Sequence, residues 1–380
     1  MKNLVLLFLI FILIQTSLFS QNANVTDYDV PISRARTLRF DGYWNWGQKG
    51  SDSVLFNNAQ ANLLFRAFYT SLPMAWFLNL DASGGKSLSE LTHNVKFEGS
   101  FRKYIWETED VFAFNKLNAQ HEHSYKQIAS DLTVGFGYGR YINATALAKA
   151  VRIEDHLIKD KVISERLPKK ILIEIAHLIE KQNEYISNYG EIYETRWLDD
   201  IEHKIEESNL VADNNIGSLG TLRMRQVLFN INEKVNERYY GWDVNLGVLF
   251  PLTTADKSAP GRPNLNLSGR YSVPLGWKFQ VNTVADLFTP LDSSFFNKFG
   301  VRFGLDFIYE LSNRVNFVTN YRLSVDKPQG SKSLISNNLG ASFWYYIENN
   351  IYFTFAINYT KQQKLDSFLS TNVGIQYNLF

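Results

Sequence analysis

Apolar and polar residues alternate one by one along most of the chain, in runs of about ten positions. In one run Val301, Phe303, Leu305, Phe307 and Tyr309 fall on one face, with Arg302, Gly304, Asp306 and Glu310 on the other. The next run sets Val315, Phe317, Thr319, Tyr321 and Leu323 against Asn316, Asn320, Arg322 and Ser324. Successive side chains of a strand point to opposite faces, so each run predicts a β-strand with one apolar and one polar side. Six such segments precede residue 144, at about 37–47, 59–70, 74–83, 93–106, 111–120 and 129–142. Eight follow residue 240, at about 241–252, 263–273, 276–288, 297–311, 314–326, 334–347, 350–361 and 368–380. The run at 111–120 is the least regular, because Phe112 and Phe114 compete with Val111 and Ala113 for the apolar face.

Between the two sets the period changes. Leu147, Val151, Leu157 and Ile158 are spaced as in a helix over Ala146–Val162. Pro168 opens a second helix that carries Ile171, Leu172, Ile175, Leu178, Ile179 and Ile186. A third is predicted from about Glu191 to Glu207 and a fourth from Leu219 to Asn236. Four amphipathic helices can bury a small core against one another, so 144–240 reads as an inserted helical domain. Its 14 Lys/Arg face 17 Asp/Glu, which gives no attraction to an anionic lipid surface.

Amphipathic strands fit either a soluble sandwich or a barrel in lipid. The runs are long enough to cross a bilayer at a tilt, which takes about 9–11 residues. Links after even-numbered strands are short, as at Ser71-Leu72-Pro73, Pro274-Leu275 and Leu311-Ser312-Asn313. Links after odd-numbered strands are longer and polar, as at 48–58, 84–92, 253–262, 289–296 and 327–333. Short turns at one rim and long loops at the other predict an up-and-down transmembrane antiparallel barrel of about fourteen strands, with the helices inserted. Trp44, Trp46, Trp76, Trp242, Trp277 and Trp344 at strand ends supply interfacial girdles. The polar faces then line a lumen, with Arg39, Asp41, Arg66, Asp81, Lys96, Glu98, Arg270, Arg302, Asp306, Glu310 and Arg322 as its candidate lining residues. Adding Arg102, Lys278, Asp131, Asp243 and Asp286 brings the interior to eight cations and eight anions. That balance predicts weak ion selectivity or charges paired across the interior.

The N-terminus reads as a secretory signal peptide over 1–20: Met1-Lys2-Asn3, the apolar Leu4–Ile14, then a polar exit to Ser20. Residues 21–36 follow as an N-terminal periplasmic segment. Strands 1–6 occupy 37–143 and strands 7–14 occupy 241–380. The last residues, Val373-Gly374-Ile375-Gln376-Tyr377-Asn378-Leu379-Phe380, resemble the closing strand of bacterial outer-membrane β-barrels. With the signal peptide and the strand pattern, the resemblance covers about three-quarters of the chain. It implies residence in the bacterial outer membrane, contact with its lipid, and delivery by the barrel-insertion machinery through the C-terminal strand. Six strands before the insertion return the chain to the periplasm, which places 144–240 there as a module able to cap the barrel's inner mouth or to dock a periplasmic protein.

Composition narrows the chemistry. Lys+Arg 39 against Asp+Glu 38 offers no electrostatic pull toward nucleic acid. Zero cysteines exclude a disulfide framework, thiolate metal sites and a cysteine nucleophile. Gly84-Gly85-Lys86-Ser87 lacks the first glycine of a phosphate loop and reads as a polar loop tip, and the alternate glycines at 135, 137 and 139 lack the last glycine of a dinucleotide fingerprint. In a strand those glycines leave room on the lumen side. His121-Glu122-His123 puts two imidazoles on one face, too few to complete a metal set. No catalytic residue, cofactor or metal ligand set is expected. The favoured function is a channel or transporter for small polar or amphipathic solutes. An envelope assembly or export component docking a partner through its helices comes second, and a lumen-sited lipid- or polymer-modifying enzyme third.

Overall fold

The computed structural model describes residues 22–49, 53–87, 90–106, 109–212, 215–231, 233–348, 351–363 and 365–377. The expected signal peptide and the terminal Phe380 lie outside the described residues. Before the helices run β1 (Ser33–Lys49), β2 (Ser53–Thr70), β3 (Met74–Ser87), β4 (Glu90–Tyr104), β5 (Val111–Glu122) and β6 (Ala129–Asn143). After them come β7 (Tyr239–Thr253), β8 (Asn264–Leu275), β9 (Phe279–Pro290) and β10 (Phe299–Ser312). The last four are β11 (Val315–Lys327), β12 (Leu334–Glu348), β13 (Ile351–Gln362) and β14 (Phe368–Tyr377). All fourteen form one sheet in which each strand pairs with its sequence neighbour, and every ladder is antiparallel.

Several strands outrun their amphipathic stretches. The β1–β2 ladder continues to Lys49↔Ser53, and the β3–β4 ladder to Ser87↔Glu90. The links expected at 48–58 and 84–92 are therefore mostly strand, and Gly84-Gly85-Lys86-Ser87 is a strand end rather than a loop tip. Alternation reports a strand only where its two faces differ in polarity, whereas backbone hydrogen bonds extend the ladder through residues polar on both sides.

The sheet curls strongly. In a flat sheet β5 and β11, six strands apart, would lie roughly 29 Å from each other at about 4.8 Å per strand. Phe114 of β5 and Asp326 of β11 nevertheless line one cavity of about 740 Å³ on the concave face. The convex face is apolar and bare: Ile375 is 72% exposed, Phe40 70% and Phe136 65%. Among the described strand residues the buried apolar side chains are only Ala35, Ala67, Ala75, Tyr104 and Phe112. A soluble sandwich would bury its apolar face, so this inverted arrangement excludes it.

The apolar core sits in the helices: α1 (Thr145–Lys159), α2 (Lys169–Glu180), α3 (Gln182–Tyr189), α4 (Tyr193–Glu206) and α5 (Gly217–Leu228). Leu147, Leu157, Leu172, Ile175, Trp197, Ile201, Met224 and Val227 pack there, together with Ala23, Val25 and Tyr28 of the N-terminal segment. Two expectations are corrected. The helix opened by Pro168 breaks at Lys181, between α2 and α3. The last helix stops at Leu228 instead of reaching Asn236, with Asn230 in the left-handed region at φ 53. The first strand also begins four residues early, at Ser33.

Candidate functional site

The concave face carries the ionisable residues, held in cross-strand pairs by the register. Arg66 grips Asp81 with two hydrogen bonds, 2.7 and 2.9 Å. Arg322 meets Asp306 at 2.7 Å, and Arg302 meets Asp326 at 2.9 Å. Arg39 and Asp41 sit 3.3 Å apart on β1, both well exposed. Arg270 forms a fork with Asp243 of β7, its Nε donating over 2.9 Å and its Nη2 to the other oxygen. Lys96 stands opposite Asp81 in register, and Glu98 opposite Asn79 and Asn118, with no ion pair for either among the described residues. The charges expected to line an interior thus share one face, and most neutralise each other locally.

Glu310 has a different setting. It lies at the short-turn end of β10, is 3% exposed, and anchors the helical domain to the sheet. Its Oε2 accepts from Arg152 of α1 at 2.6 Å. Its Oε1 accepts from Arg238 at 2.8 Å and from the backbone N–H and side-chain amide of Asn236 at 3.1 and 2.9 Å. Arg152 reaches on to Glu233 at 3.1 Å, which in turn contacts His156 at 2.8 Å. Burial lowers the pKa of the Arg238 guanidinium from its ordinary value, and the Glu310 carboxylate opposes that shift. Sequence reasoning did not find Arg152, Glu233 or Arg238, because no local spacing links α1 to a strand end 158 residues away.

Other contacts spread the helical domain across the same rim. The Ser187 hydroxyl of α3 donates to the carbonyl of Arg36 at 2.7 Å and accepts from its N–H at 3.3 Å, covering the edge of β1. The Trp277 indole between β8 and β9 donates to Ala23 at 3.2 Å, and Tyr240 of β7 to the carbonyl of Tyr28. Lys234 lies 4.5 Å from the ring of Trp344 on β12. Contacts from β1 to β12, all at the short-turn ends, make the helical domain a cap on one mouth of the curled sheet.

The glycines of β6 act differently from the expectation of open room. A Cβ on Gly137 would stand 2.3 Å from the Phe112 ring, and one on Gly135 2.7 Å from the Phe114 ring. Both rings lie on the concave face over the glycine backbone, an arrangement that pins cross-strand register. That resolves the competition at 111–120: Phe112 turns inward and is 1% exposed. Phe288 likewise covers Gly300. On the opposite face, at the rim of the longer links, His93 stacks on His121 with ring centroids 4.9 Å apart and nitrogens at 2.7 Å. No three ligating side chains converge on a metal position among the described residues.

Neither a protein-family model nor a curated protein matches the chain. Among solved structures, the CymD monoaromatic hydrocarbon channel aligns over 93% of this chain and 90% of its own, at 9% identity and a TM-score of 0.27. OccAB3 of Acinetobacter baumannii aligns over 91% and 98%, at 8% identity and 0.29. OmpT of Vibrio cholerae, without its loop L8, aligns over 90% and 99%, at 8% identity and 0.30. The class is defined by the sheet itself: fourteen sequential antiparallel strands, apolar outside and charged inside, with the apolar core in the helical domain and the N-terminal segment packed on it. The chain is an outer-membrane-type β-barrel protein with a helical insertion.

Proposed function

We propose that the protein is an outer-membrane channel for small polar or amphipathic solutes, with its helical domain seated over the periplasmic mouth. The observation that carries this reading is the concave face: ion pairs such as Arg66–Asp81 and Arg322–Asp306 stand on it, and cavities of about 740 and 510 Å³ open there, the smaller lined by the Arg270–Asp243 pair and by Phe77, Phe112 and Phe114. Locally neutralised pairs give a polar wall without a strong field of either sign, which suits solutes of mixed polarity. The convex face, with Phe40, Phe136 and Leu246 bare, takes outer-membrane lipid, and the C-terminal strand is the segment presented to the insertion machinery. Single-channel recording of purified protein in planar bilayers tests the reading. Steady open currents in potassium chloride are expected, and a silent bilayer overturns it.

A second reading, an envelope assembly component that docks a periplasmic protein through 144–240, draws on one feature. Ile192 and Leu222 are each 58% exposed on the helical domain, which a simple cap does not require. Under that reading the bilayer stays silent, and substitution of Leu222 by a charged residue impairs envelope assembly.

A further inference from the structure

One cavity on the concave face departs from the general charge pairing. It measures about 510 Å³ and is walled by Phe77, Phe112 and Phe114, with Arg102, Lys116 and Asn245 as polar neighbours. Three cations line it, Arg102, Lys116 and Arg270, against the single carboxylate of Asp243. That carboxylate is already committed to Arg270 through the fork described above. Among the described residues no acidic side chain forms an ion pair with Arg102 or Lys116. Glu98 and Asp131 face Asn118, two positions beyond Lys116, and Asp131 accepts from the Asn118 amide at 2.7 Å.

Arg102 is held by rings instead. Its guanidinium lies 5.5 Å from the centroid of Phe112 and 5.8 Å from that of Tyr104. Phe112 is in turn seated on Gly137, and the Tyr104 hydroxyl donates to the Gly139 carbonyl at 3.0 Å. The cation is therefore positioned by packed groups, while among the described residues its donors meet no hydrogen-bond acceptor and can serve one from outside the chain. Lys116 is the diagonal cross-strand neighbour of Arg102, a spacing of roughly 7–8 Å. Two cations at that spacing beside three phenylalanine rings match a flat apolar body carrying one carboxylate. The guanidinium fork suits the carboxylate, and the rings suit the body.

We propose that this cavity is a recognition subsite for small aromatic carboxylates. The proposal rests on the channel reading and adds the solute class to it. The test uses the purified full-length protein in detergent, titrated calorimetrically with sodium benzoate, benzylammonium chloride and benzyl alcohol, which share a ring and differ in charge. Benzoate binds about tenfold tighter than the other two, and Arg102→Gln and Lys116→Gln each weaken it about fivefold while leaving benzyl alcohol unchanged. Lys116 is exposed, so its variant carries the test even if Arg102→Gln disturbs folding. Equal affinity for benzoate and benzylammonium overturns the proposal, as does unchanged benzoate affinity in the Lys116→Gln variant. Bilayer recording separates the two readings. Selective benzoate binding without conductance removes the channel and keeps the subsite, whereas conductance without selective binding removes only the subsite.

Discussion

Glu310 shows how one side chain joins two differently built halves. Four donors converge on its buried carboxylate, and removing it leaves Arg238 buried without its counter-charge and Arg152 with Glu233 alone. Breaking a buried pair in this way costs about 3–5 kcal/mol, so Glu310→Ala should release the helical domain from the rim. Hydrogen exchange checks this: amides of α1 and its neighbours lose protection while those of β9–β11 keep it. Equal loss in both regions would mean that Glu310 supports the sheet rather than the attachment. Glu154 gives a pH dependence. It is fully buried, accepting from the Leu167 N–H at 2.6 Å and from Arg166 at 2.7 Å. Burial raises its pKa above the ordinary carboxylate value of 4.5, against the pull of those two donors. The folded state thus holds this proton more tightly than the unfolded chain. Its contribution to stability is full below the ordinary value and is lost as pH rises through the raised one. Thermal melts of the helical signal should show this decline in the wild type and not in Glu154→Gln; identical profiles would contradict it. At this scale the sequence was partly legible. The alternation puts Arg66, Asp81, Asp306 and Arg322 on the polar faces of their strands, but which acid meets which base depends on register, and Glu310's partners come from a distant helix.

The strands were the most legible elements, because a two-residue period has one structural meaning wherever one face is apolar. Even β5 was found, although Phe112 and Phe114 blurred its pattern. The explanation lies across the ladder, where glycines at 135 and 137 make space for inward rings. Strand ends were less legible, since polar residues such as Asn57 and Lys86 carry no facing signal while still pairing. Helix ends were missed for a related reason: the apolar spacing from Ile171 to Ile186 runs through Lys181 without marking the break. Facing can be tested on side chains of β11 and β13. Phe353 lies on the apolar convex side of β13, so if that side meets lipid Phe353→Arg should cost about 2–4 kcal/mol near the bilayer centre. Arg322 on the concave side is 48% exposed and paired with Asp306, so Arg322→Gln should cost under about 1 kcal/mol. Unfolding in urea from lipid vesicles measures both, and similar losses would refute the assignment.

The whole molecule divides its chemistry by location. Apolar side chains face outward from the sheet and inward in the helical domain, ionised ones line the concave face, and the N-terminal segment is tied into the helical core through Ala23, Val25 and Tyr28. Such a distribution of apolar and ionised faces suits a sheet embedded in the outer membrane with its rims in water. The inserted domain was legible as helical from its period and as a cap or docking module from its place after an even strand, but the contacts from Arg36 to Trp344 that seat it were not, since they arise only once the sheet curls. The most direct measurement is labelling of intact cells with a membrane-impermeant maleimide at two single cysteines. Lys332→Cys lies in the link between β11 and β12, and Ser218→Cys is exposed on α5 at the opposite rim. Labelling of Lys332→Cys on intact cells, with Ser218→Cys labelled only after permeabilisation, is the predicted result; labelling of Ser218→Cys on intact cells would contradict the account.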